Sequence, residues 1–154
     1  MPRNATVTAT DLPRDSGLHA LIGPSDFVDC YAVNADIPPR RAAEIVAEFP
    51  GWTRVLMVLR RVITTPFGLS NDGPDAPDKI GSFPVEQETE TEIIAGFDDR
   101  HLNFRVSIIS ENGRVWLATW VHTHNIGGRI YLAAIMPFHI MVARDALQRV
   151  ARAA

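Results

Sequence analysis

The dipeptide Asn112-Gly113 lies between two runs of alternating apolar and polar residues, and it restricts the possible folds more than any other feature of the chain. Both central residues of a two-residue type I′ hairpin need positive φ, which Asn-Gly supplies at little steric cost. With that turn in place, Leu102 faces Thr123, Phe104 faces Val121, Val106 faces Thr119 and Ile108 faces Leu117. These pairs form one almost wholly apolar face, expected to lie against the core. The reverse face sets His101 opposite His124, Asn103 opposite His122, Arg105 opposite Trp120, Ser107 opposite Ala118 and Ile109 opposite Trp116. Three histidines are thereby predicted to gather at one end of that face.

A second hairpin turning at Asp98-Asp99 extends the sheet. It would put Glu92 beside Arg105 on the mixed face and Ile93 beside Phe104 on the apolar face. Upstream, Phe83 to Thr89 reads as a further strand, with Pro84 marking an edge or a bulge because proline cannot donate to a ladder. "DFVDCYAV" also alternates with a period of two and predicts a first strand. Pro38-Pro39 ends it and suits the first turn of a helix over "RRAAEIVAEF", where Ala42, Ile45, Val46 and Phe49 recur at helical spacing. Pro50-Gly51 closes that helix. Trp52, Val55, Leu56, Leu59 and Ile63 then form the stripe of a second short helix. After the sheet, Asn125 is a good N-cap for a last helix reaching the C-terminus. Its first half is apolar nearly all round and is expected to be buried, Pro137 should kink it, and the half from Ala143 onward is amphipathic.

The expected architecture is an α+β domain: residues 1–25 as a lead-in, then a single domain over 26–154. A chain of 154 residues can bury one core without help from its single cysteine, Cys30, which has no disulfide partner within the chain. A net charge of −3 gives no basic footprint for nucleic acid. The N-terminus lacks the apolar core of a secretory signal, so a cytoplasmic location is expected. The apolar run Ile130 to Ala143 falls short of the ~20 residues of a membrane span. There is no glycine-rich nucleotide fingerprint and no Gly-x-Ser-x-Gly elbow, and no cofactor is expected.

The segments "FPVEQETETEIIAGFDDRHLNFRVSI" and "THNIGGRIYLAAIMPFHIMVARDAL" carry a family resemblance. The telling residues run from Phe97 through Arg105, then take in His124-Asn125, Gly128-Arg129, Tyr131 and Pro137-Phe138-His139. Over roughly residues 26–150 the chain resembles a bacterial family of unknown function in the START and Bet v 1-like (SRPBCC) superfamily. The resemblance implies a helix-grip fold, in which a curved antiparallel sheet wraps a long C-terminal helix around an apolar cavity. That superfamily holds lipid carriers, sensors, cyclases and structural modules, so the fold does not select a function.

The leading functional expectation is a binding protein for an apolar or amphipathic small molecule held between sheet and last helix. The expected pocket walls are Phe104, Val106, Leu117, Val121, Ile135, Phe138 and Met141, with Tyr131 and His139 as polar fixtures. An enzyme of cyclase, dehydratase or hydrolase type in the same cavity is the alternative, with a histidine as general base. The third reading is an interaction module with a filled core. Asp98, Asp99, Arg100, His101, His124, Asn125 and Arg129 form a polar cluster near the sheet end, read first as a charged turn and cap. Three imidazoles could hold zinc, but the simpler reading of His101, His122 and His124 is a hydrogen-bonded surface cluster with no metal. Trp116 and Trp120 on the mixed face would either pair with a second copy of the chain or be covered by loops or the N-terminal segment.

Overall fold

The computed structural model describes residues 5–48, 76–80, 83–98 and 102–154. Its elements are β1 (Thr8–Ala9), a 3₁₀ turn (Gly17–Ala20), β2 (Phe27–Asn34), α1 (Pro39–Ala47), β3 (Lys79–Ile80), β4 (Phe83–Glu88), β5 (Glu92–Asp98), β6 (Leu102–Glu111), β7 (Arg114–Thr123) and α2 (Ile126–Ala153). The strands form one antiparallel sheet in the order β1-β2-β7-β6-β5-β4-β3. This is an α+β fold consistent with a helix grip: an open sheet, a short helix after the first long strand, and a long C-terminal helix. The second short helix expected from Trp52 onward lies outside the described residues.

The Asn112-Gly113 turn forms with φ of 52° and 74°, and the predicted pairings from Leu102 with Thr123 to Ile109 with Trp116 are all present, while that of His101 with His124 lies outside the described residues. The next hairpin differs. Glu92 faces Ile109 rather than Arg105, a displacement of four residues, because β5 runs on to Asp98 instead of turning at Asp98-Asp99. This register brings Phe97 opposite Phe104, with ring centroids 4.8 Å apart edge to face, and sets Ile93 against Ile108. An even displacement leaves every side chain on its predicted face, since the strand period is two. Arg105 takes its ion pair from Glu86 of β4 instead of Glu92. The bulge expected near Pro84 falls between Val85 and Gln87.

Both faces of the sheet are covered. On one, Tyr31, Val33, Ile93, Ile108, Val115 and Leu117 pack against Ala42, Ala43 and Ile45 of α1 and Ala143, Ala146, Leu147 and Val150 of α2. Small side chains on both helices allow close approach, and Arg149 ties them by donating to the Ile45 carbonyl at 2.7 Å and to that of Glu48. On the other face, Leu18, Cys30, Ile94, Ala118 and Trp120 form a smaller core, with Leu12, Val28 and Trp116 around it. The N-terminal residues supply its lid, so Trp120 is only 4% exposed.

Asn125 caps α2, its side chain accepting from the Gly128 amide at 2.9 Å. The helix then continues through Pro137. Here the expectation of a buried first half fails: Ile126, Ile130, Phe138 and Met141 are exposed, and the buried positions after Gly128 lie between Ala143 and Val150. Among the described elements, α1 packs on the second half, so the amphipathic half is the one that enters the core. By length and composition α2 could cross a membrane. Its buried second half and the Arg149 bonds to α1 instead tie that end to the domain.

Candidate functional site

A cavity of about 150 Å³ lies between the sheet and α2. Val106, Ile108 and Leu117 form its floor, Ala43 and Val46 one side, and Val142, Ala143 and Ala146 the roof. Among the described residues that line it, only Thr119 and His139 carry polar side chains.

These two are placed by β2 and α2. Asp29 pairs with Thr119 across the β2–β7 ladder, and both point to the helix side. His139, on the cavity side of α2, meets the Asp29 carboxylate, Nε2 to Oδ2, at 2.8 Å. Both side chains are about one-fifth exposed, and the edge of one ring, Phe27 or His139, meets the other at 6.2 Å between centroids. An ionised carboxylate can only accept. In the neutral ring Nε2 therefore carries the proton and Nδ1 the lone pair, so the imidazole can accept a proton or a hydrogen bond. The thiol of Cys30, the one cysteine of the chain, lies on the reverse face, and burial pushes it up to about 12, away from thiolate chemistry at neutral pH.

Of the expected pocket residues, Val106, Leu117 and His139 line the cavity. Phe104 packs between Phe83 and Phe97. Val121 is buried opposite Phe27, while Tyr131 and Ile135 are half-buried. Phe138 and Met141 lie on the exposed side of α2. In the polar cluster, Asp98 bonds His124 at 2.6 Å, Asn125 is the cap, and Arg129 is exposed. Asp99, Arg100 and His101 lie outside the described residues. His122 meets Asp26 at 2.6 Å, and its ring centroid is 5.4 Å from that of His124. Each imidazole thus has its own carboxylate, and among the described residues no three potential ligands gather around one point.

Asp26 is a fastening point. It accepts from the Gly23 amide at 2.7 Å and from the Trp120 indole at 3.0 Å, besides meeting His122. Burial raises its carboxyl, but these hydrogen bonds and the charge of His122 outweigh that, and it is held below the usual carboxylate range. A carboxyl depressed in the folded state adds stability above its unfolded value near 4, and that stability disappears as pH falls through the folded value. Asp26→Asn is therefore expected to lose about 1–2 kcal/mol at pH 7. As pH falls through the depressed folded value, the two proteins should converge. Urea melts followed by tryptophan fluorescence at several pH values check both statements.

The sequence reading missed three residues that matter. Asp29 and Thr119 are polar positions on an otherwise apolar face, and their alternation with Phe27, Tyr31 and Leu117 was the available signal. Glu92 is 5% exposed and accepts from Ser16 Oγ at 2.6 Å, from Ser107 Oγ at 2.5 Å and from the Gly17 amide at 2.8 Å. It fastens the N-terminal segment to the sheet from the side opposite the cavity.

Comparison with curated proteins and with solved structures finds no match. Residues 21–146 do match a family model, a span that takes in Asp29, Thr119 and His139 and ends at Ala146 in the cavity roof. On that match the chain belongs to the family described as "Protein of unknown function (DUF2867)".

Proposed function

We propose that the protein binds an apolar or amphipathic small molecule between its sheet and C-terminal helix, as a member of the START and Bet v 1-like superfamily. The observation that carries this reading is an apolar cavity, with an Asp29-anchored His139 on its wall, in a domain otherwise packed on both sides of its sheet. Binding sites of this kind combine apolar walls with a few placed polar groups. A volume near 150 Å³ matches one six-membered ring.

Filling the cavity tests the reading. Val106→Phe places a ring on the cavity floor and is expected to weaken toluene binding at least tenfold by calorimetry. Overpacking should lower stability by no more than about 1–3 kcal/mol. Unchanged affinity would place any bound toluene elsewhere. A second reading, an enzyme with His139 as general base, is favoured by the Asp29 bond, which orients the imidazole as acid–base sites require.

A further inference from the structure

We infer that the cavity selects a small ring or short-chain compound carrying a hydroxyl group, which bonds to Nδ1 of His139 and to the Thr119 side chain. The inference rests on the cavity being a binding site and adds the chemistry of what enters it. Among the described residues, two polar groups line this cavity with bonding capacity to spare. His139 uses Nε2 on Asp29, and its Nδ1 has no hydrogen-bond partner among the described residues. Thr119 is 9% exposed, lines the same cavity, and its hydroxyl likewise has no side-chain hydrogen bond among the described residues. The two sit close together, because Asp29, which holds His139, is the ladder partner of Thr119.

The choice of hydroxyl follows from the donor and acceptor inventory. A neutral His139 with its proton on Nε2 can only accept at Nδ1, whereas a charged one can only donate there. A ligand hydroxyl serves in both states, since it has one proton and two lone pairs. It can also complete the Thr119 hydroxyl, which donates and accepts in the same way. A carbonyl or ether oxygen would leave a neutral Nδ1 unanswered, and a purely apolar ligand would cover both groups without replacing their water, which is unfavourable. An anionic ligand would be set near the Asp29 carboxylate, and no lysine or arginine is among the described lining residues to offset it.

Phenol and toluene have similar size and opposite expectations, so titrating both into the intact protein at pH 8 by calorimetry tests the inference. A merely apolar cavity ranks toluene first, because the phenol hydroxyl would leave water without a partner. The inference requires phenol to bind about tenfold tighter than toluene. It also requires the order to invert in His139→Phe, and the phenol advantage to shrink at least threefold in Thr119→Val, a near-isosteric change that keeps the fold if the first variant does not. Toluene binding as tightly as phenol in the unaltered protein would overturn the hydroxyl assignment while leaving the cavity reading intact. Binding of neither compound would overturn both.

Discussion

Gly96→Ala is expected to lose about 3–5 kcal/mol, a large share of the stability of a domain this size. Gly96 has a φ of 145°, which side-chain-bearing residues rarely adopt. A Cβ there would lie 2.3 Å from the Phe104 carbonyl oxygen and 3.0 Å from the Arg105 Cα. Both atoms belong to the backbone of β6, where Gly96 and Arg105 are ladder partners, so relief requires the strands to separate. Gly113→Ala is the internal comparison. It also carries positive φ, at 74°, but no atom lies within 4 Å of the added Cβ, and only the backbone term of about 1–2 kcal/mol applies. Urea denaturation of the two variants should separate them clearly. Equal losses would mean that β5 does not approach β6 in this way.

Glu92→Ala is expected to lower stability by about 3 kcal/mol, because three donors that converge on one carboxylate lose their acceptor while remaining out of water. For a domain of this length that corresponds to a Tm lower by roughly 6–12 °C. The damage should concentrate on the N-terminal side, since Ser16 and Gly17 are held by this carboxylate while Ser107 stays within β6. Limited proteolysis is expected to cut between residues 10 and 25 in the variant before any other site. Glu92→Gln keeps the shape and one acceptor oxygen, so its loss should be about half as large. A variant with native Tm and an uncut N-terminus would remove Glu92 from this role.

The hairpin around Asn112-Gly113 was legible because local turn chemistry and side-chain alternation specify the same register. The β5–β6 pairing was legible only in its choice of faces. Its turn signal was weak, and the Phe97–Phe104 contact and the course of β5 to Asp98, which distinguish the observed register, are tertiary. The same limit explains Glu92 and Arg105. Opposite charges on one face suggested a pair, but Glu86 lies nearer Arg105, and Glu92 meets a segment whose composition reads as loop. For the histidines, the hairpin placed His122 correctly opposite Asn103 and left its partner Asp26 unseen, because that aspartate arrives from outside the hairpin. In α2, hydrophobicity alone pointed to burial of the first half. Burial was instead set by where small residues let α1 and the sheet approach.

Thr119 and Trp120 are sequence neighbours, yet one lines the cavity and the other belongs to the small core beneath the N-terminal segment. A single inserted or deleted residue within β7 would exchange them, bringing an indole to a space the size of one ring and a hydroxyl into an apolar cluster. The adjoining positions Ala118 and Val121 would exchange sides as well. A sheet read from one side could accept such a slip by exposing the wrong set to solvent. This one is indexed from both sides, so β7 can change its letters but not its spacing, and the bulge that the sheet does carry lies away from it, in β4 between Val85 and Gln87.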